Sequence, residues 1–217
     1  MNTTTTTMIH TLRRFNPTRI ACGMAVLAAT QLLSGCLPLV VGGAVMSGMV
    51  AVDRRTSGTQ LEDQSIELKG NKRAYEVAGD RAHVNITSYN RVVLLTGEAT
   101  TEADRAAIEN AVKQIENVRT VVNELEVVAL SSMGTRSNDT VLTSKVKASF
   151  VDAADLQVNA YKVVTERSVV YLMGRVTERE AARAADVARG VAGVKKVVRV
   201  FDMISETELA NLRAPAK

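Results

Sequence analysis

The sequence predicts an α+β protein made of two tandem copies of one small αββαβ sandwich. In each copy, helices pack on one face of a short mixed sheet. Three observations predict it: an internal repeat, β-branched runs closed by glycine, and apolar helical stripes that follow cap-like spacings. VVLLTG (residues 92–97) matches VVYLMG (169–174) at an offset of 77 residues. Thr101-Glu102 matches Thr177-Glu178 at an offset of 76, and VRTVV (118–122) matches VKKVV (194–198) at the same 76.

The elements follow in order. Leading helices are expected at residues 59–72 and 138–151, with Asn138 or Asp139 able to cap the second. First strands are expected at 84–86 and at 158–164, the latter broken near Asn159. The runs 92–96 and 169–173 are the second strands, each closed by a structural glycine, Gly97 or Gly174. These glycines answer a backbone need, either positive φ or close approach. Thr101-x-x-Asp104 and Thr177-x-x-Glu180 have capping-box spacing, the Asp version being the weaker. Behind them Ile108, Ala111, Val112 and Ile115 recur at helical spacing, as do Ala184, Val187, Ala188 and Val191. Residues 118–127 and 194–201 return as strands, and 205–217 read as a short helix and tail.

The start of the 217-residue chain has a different grammar. Residues 1–19 carry Arg13, Arg14 and Arg19 and no Asp or Glu, and no charge occurs from Ile20 to Val52. A positive flank, an apolar stretch and small residues Ser34 and Gly35 before Cys36 make a secretory signal peptide over residues 1–35. A membrane span needs about 20 mostly apolar residues; this stretch is long enough, but Gln31, Ser34, Pro38 and Gly42-Gly43 interrupt it. Leu33-Ser34-Gly35-Cys36 resembles the bacterial lipobox. That resemblance implies cleavage between Gly35 and Cys36, lipidation of the Cys36 sulfur and acylation of the new amino group. Several acyl chains anchor stably. Leu37, where Asp would signal inner-membrane retention in many Gram-negative bacteria, favours the periplasmic face of the outer membrane. Residues 36–59 then form the lipidated tether and linker. Within them, residues 38–52 are a flexible tether or lie along the membrane, and 53–60 read as linker.

Removing the signal changes the charge argument. Three of the 27 Lys and Arg leave with it, so 24 bases face 23 acids and the formal +4 becomes +1. Nothing then favours nucleic acid, and no nucleic-acid motif appears. Cys22 leaves too, and lipid consumes the Cys36 thiol, so neither a disulfide nor a cysteine metal site is expected. His83 is the one histidine after Cys36, with no nucleophile motif near it. No enzyme, cofactor or metal is expected.

The order strand, Gly, turn, capped helix, V(x)xVV, repeated behind a lipobox, resembles the BON domain, with copies at 60–128 and 136–204. The stretch DRRTSGTQLEDQSIELK (53–69), with YLMG and VTEREA (171–181), resembles tandem-BON outer-membrane lipoproteins more closely. That resemblance implies binding of anionic phospholipid by the first helix of the second copy. It also implies a role in envelope integrity and at division sites.

The copies differ in charge. Residues 62–128 carry 8 bases and 12 acids; residues 136–204 carry 12 and 8. A basic unit on a tethered protein suits anionic headgroups, at about 1 kcal/mol per Lys or Arg near the surface. On the helix at 138–151, Leu142, Val146 and Phe150 share a face, while Val141, Lys145 and Lys147 lie elsewhere. Val141, Leu142, Lys145, Val146 and Lys147 are the candidate lipid-binding residues. For Leu142, Val146 and Phe150 core packing against the sheet is the favoured reading, and Val141, Lys145 and Lys147 are the better surface candidates. An aromatic at the Val141 position would anchor better at an interface. The alternative function is a protein-interaction scaffold, in which the acidic first copy docks an envelope protein partner.

Overall fold

The computed structural model describes residues 53–130 and 133–213. The expected signal peptide, with Gly35 and Cys36, and the expected tether at 36–52 lie outside the described residues. Among the described residues no helix is long and apolar enough to cross a membrane.

The first repeat opens with α1 (Ser57–Ala78), capped by Thr56, whose hydroxyl accepts the Thr59 N–H at 3.2 Å. The helix exceeds the expected 59–72 because Ile66, Gly70, Ala74 and Ala78 continue the buried stripe at intervals of four, until Gly79 at φ 53° stops it. A 3₁₀ turn leads into β1 (Ala82–Tyr89), which pairs antiparallel with β2 (Val92–Ala99). Next comes α2 (Glu102–Lys113), and the chain returns parallel to β2 as β3 (Thr120–Asn123) and β4 (Glu126–Val127). The single strand expected at 118–127 is therefore two: buried Leu125 turns inward, and its N–H bonds to the Asn123 side chain at 3.1 Å.

The second repeat runs α3 (Met133–Asp152), a 3₁₀ turn at Val158–Ala160, then β5 (Tyr161–Glu166), β6 (Val169–Val176), α4 (Glu178–Arg189) and β7 (Lys196–Met203). β5 and β6 are antiparallel, and β7 lies parallel to β6. The break expected near Asn159 is that 3₁₀ turn. A final helix, α5 (Glu206–Arg213), follows.

Strand alternation sorts the side chains into three cores. Ile86, Val93 and Leu95 meet Ile66, Ala74, Ile108 and Val112 of α1 and α2. Val163, Val170 and Leu172 meet Val146, Phe150, Ala181 and Ala184 of α3 and α4. The alternate residues of both sheets, Tyr89 and Leu94 with Tyr171, Met173 and Val200, form one shared cluster. Each sheet thus has apolar residues on both faces, with buried Thr96 and Glu98 alternating onto the same side of β2 as Leu94, and the order of layers is helices, sheet, sheet, helices. Each large apolar side chain buried at the seam contributes about 1.5–3 kcal/mol, and the two repeats belong to one compact unit. Polar contacts rim this seam: Lys162 with Glu67 at 2.6 Å, Asn85 donating to Glu166 at 2.7 Å, and Asn90 donating to Asp202 at 2.6 Å.

Candidate lipid interface

α3 separates its residues into two faces. Leu142, Val146 and Phe150 are buried, and the Phe150 ring meets Tyr161 edge to face at 5.3 Å between centroids. Leu142 and Val146 were expected among the lipid contacts. Both instead pack inward, because their four-residue spacing is the stripe that covers the sheet, and they present no surface to a headgroup. Val141, 54 % exposed, and the exposed Lys145 and Lys147 do face solvent, as expected. The outward row continues through Ala148 and Val151, the latter 67 % exposed, at seven and ten positions past Val141.

Asp139 was expected, with Asn138, as a cap for this helix. α3 begins at Met133, so Asp139 lies inside it and has a different task. Its buried carboxylate accepts the N–H of Arg167 at 2.7 Å and of Ser168 at 2.9 Å. Those two residues form the β5–β6 turn, and both have positive φ, 51° and 65°. Asp63 does the same in the first repeat, accepting the N–H of Asn90 and of Arg91 at 2.8 Å each; their φ values are 50° and 63°. A two-residue turn with both φ positive ordinarily takes Asn-Gly or Asp-Gly. Here a helix carboxylate holds non-glycine residues there. Asp63 also accepts from Ser88 Oγ and from Arg55, each at 2.7 Å. Burial pushes the Asp63 carboxyl up, but the bonds from Ser88, Arg91, Arg55 and Asn90 together hold it below its usual range.

The segment expected to be linker is clamped to the fold. Arg54 is buried, and its guanidinium donates to both oxygens of the buried Glu180 at 2.7 Å and to the Arg175 carbonyl at 2.8 Å. The guanidinium of Arg55 lies 4.2 Å above the centre of the Tyr89 ring. Glu180 is also the third residue of α4, and it closes a reciprocal capping box with Thr177. Asp104, in the matching place, accepts from the Thr101 hydroxyl at 2.7 Å rather than from its backbone N–H, as its shorter side chain requires. Asp53 to Thr56 thus fix where the preceding chain leaves the folded body.

The two glycines act differently. Gly97 has φ 114°, and a Cβ there would lie 2.0 Å from the His83 carbonyl oxygen. Gly174 needs only the close approach: a Cβ would lie 2.4 Å from the Ala160 carbonyl oxygen. His83 sits half-buried, its imidazole pKa lowered first by burial and then by Arg136, with Glu98 opposing. Among the described residues no group of His, Cys, Asp and Glu could hold a metal ion.

Sequence reasoning missed the Asp63 and Asp139 clamps and the Arg54–Glu180 pair. The first had a signal, since the two aspartates are themselves 76 residues apart. The second had none at the level of pattern, because Arg54 has no counterpart in the second repeat.

A family model described as the BON domain matches residues 72–129 and 138–204. The outer membrane lipoprotein DolP of Haemophilus influenzae is 37 % identical over 178 residues, covering 81 % of this chain and 92 % of the relative. The 21 kDa hemolysin of Actinobacillus pleuropneumoniae is 32 % identical over 158 residues, 70 % and 80 % of the two chains. The osmotically-inducible protein Y of Escherichia coli shares 36 % over 70 residues, 32 % of this chain and 35 % of that one. With the matched residues covering the strands and second helix of both repeats and part of each first helix, the chain belongs to the BON-domain family and carries two copies of the domain in tandem.

Proposed function

We propose that this chain is an envelope lipoprotein held by lipidated Cys36 to the periplasmic face of the outer membrane. There its second BON domain binds anionic phospholipid and supports envelope integrity, including at division sites. The observation that carries the reading is the outward face of α3, where Val141, Ala148 and Val151 lie beside Lys145 and Lys147, all exposed. An exposed apolar row flanked by lysines suits the headgroup region, with the lysine stems along the surface and the ammonium groups at the phosphates. The similarity to DolP, named an outer membrane lipoprotein, supports the location. The cysteine-terminated apolar stretch at residues 20–36 supports the anchor. The activity proposed is binding, without catalysis.

Co-sedimentation with phosphatidylglycerol vesicles tests the reading. The soluble chain must begin at Val50, because starting after Arg55 would remove both clamping arginines. We expect binding at low salt that falls at least tenfold in the double variant Lys145→Glu/Lys147→Glu. Equal binding by the variant and the parent chain would move the site away from α3.

A further inference from the structure

α1 turns Asp63, Ile66, Gly70, Ala74 and Ala78 to the sheet. Its opposite face carries Leu61, Leu68 and Tyr75, exposed to 67 %, 74 % and 68 %. Their spacing of seven sets them in one line along the helix. Gln64 and Ser65 separate Leu61 from Leu68, and Asn71 and Lys72 separate Leu68 from Tyr75, so the three form a spaced line of apolar side chains among polar ones.

The charges beside this row favour one occupant. Lys72 is exposed on the same face, and the exposed Lys69 and Arg73 lie round the helix toward α2, where they line a groove with Ala111 and Gln114. Two acids are there, Glu76, 3.8 Å from Lys72, and Glu116, which lines the same groove. The other acids of α1 are engaged elsewhere. Asp63 is in the turn clamp, Glu67 accepts from Lys162 and the Ser88 N–H, and Glu62 accepts from Asn117. An acidic domain therefore shows a positively flanked apolar stripe at this place, ending in a tyrosine whose ring suits the headgroup level. In sequence the stripe also follows soon after the uncharged stretch. The uncharged residues 38–52 end just before Asp53, and Leu61 follows nine positions after Val52.

We propose that the outward face of α1, Leu61, Leu68 and Tyr75 with Lys69 and Lys72, is a second surface that binds the anionic bilayer. This rests on the membrane attachment in the reading above, though not on α3 as the lipid site. α1 and α3 belong to opposite outer layers, so one flat bilayer meets one of these faces at a time. The two are alternative contacts, and the folded body has two ways to lie on its membrane.

Photocrosslinking of the full lipidated chain, reconstituted in vesicles of phosphatidylcholine and phosphatidylglycerol, tests this. A p-benzoylphenylalanine replaces Leu68 in one preparation, Tyr75 in a second and Ala148 in a third, each checked for an unchanged melting temperature. We expect phosphatidylglycerol adducts from positions 68 and 75. Lys69→Glu/Lys72→Glu should reduce them at least fivefold, and Lys145→Glu/Lys147→Glu should not lower them. Adducts from 148 alone would overturn this inference and leave the α3 reading standing. Adducts from 68 and 75 alone would uphold it and remove the α3 reading, and a chain-to-chain adduct from 68 in place of lipid would overturn it in favour of a dimer.

Discussion

Arg54 and Glu180, 126 residues apart, form a two-bonded ion pair with both side chains almost fully out of solvent. The pair ties the segment that precedes α1 to the first turn of α4. A buried pair adds little over a matched apolar pair, but removing one partner leaves a charge stranded. Arg54→Met should therefore lower unfolding stability by about 3–5 kcal/mol, measured by urea denaturation. Arg54→Met/Glu180→Leu should recover part of that loss. The recovery is incomplete, because Glu180 also accepts the Thr177 N–H at 3.2 Å and Leu cannot.

The aspartate clamps make a second prediction. Asn at position 63 or 139 keeps the shape but turns one acceptor into a donor facing a backbone N–H. Leaving such a buried donor unpaired costs about 1–3 kcal/mol. Asp63→Asn should cost more than Asp139→Asn, since Asp63 also serves Ser88 and Arg55. Chemical denaturation of the two variants side by side checks the order. Asp63 also contributes pH dependence: its folded pKa is depressed, so its contribution is present above its unfolded pKa near 3.8 and is lost as pH falls toward the folded value.

Glu166 has the opposite sign. Its carboxyl pKa is raised, first by burial and also by nearby Glu98 and Asp139, with the Asn85 hydrogen bond and Arg136 opposing. Glu98 is fully buried, and among the described residues its oxygens accept no hydrogen bond; Arg167 approaches it at 3.6 Å. Ionised Glu166 therefore weakens the fold above its folded pKa, and this penalty fades as pH falls to the unfolded value of about 4.5. Glu166→Gln keeps an acceptor for Asn85. It should raise the melting temperature at pH 7, with the gain vanishing below about pH 4.5 in thermal scans.

Much of the fold was readable because each repeat states its rules locally. VVLLTG and VVYLMG show strand and stop, the Thr caps mark helix starts, and the 3.6-residue stripes show the covered face. The face-to-face stacking of the sheets was less accessible. Leu94, Tyr171 and Met173 read as ordinary members of apolar strands, and only the fold shows that they meet. The lipid candidates divide by the same physics. Periodicity placed Leu142 and Val146 on the core side, while Val141, Lys145 and Lys147 remain outside. The long-range Arg54–Glu180 pair left no local trace, so an ordered clamp resembled a linker.

The central claim is that the outward face of α3 meets anionic phospholipid. Residue-resolved NMR of the chain from Val50 onward, titrated with phosphatidylglycerol micelles, tests it most directly. The account predicts the largest amide shifts in the second domain at Val141, Lys145, Ala148 and Val151. They should collapse at about 1 M salt, where the screening length falls to roughly 3 Å. Saturating micelles that leave every α3 amide unmoved would contradict it.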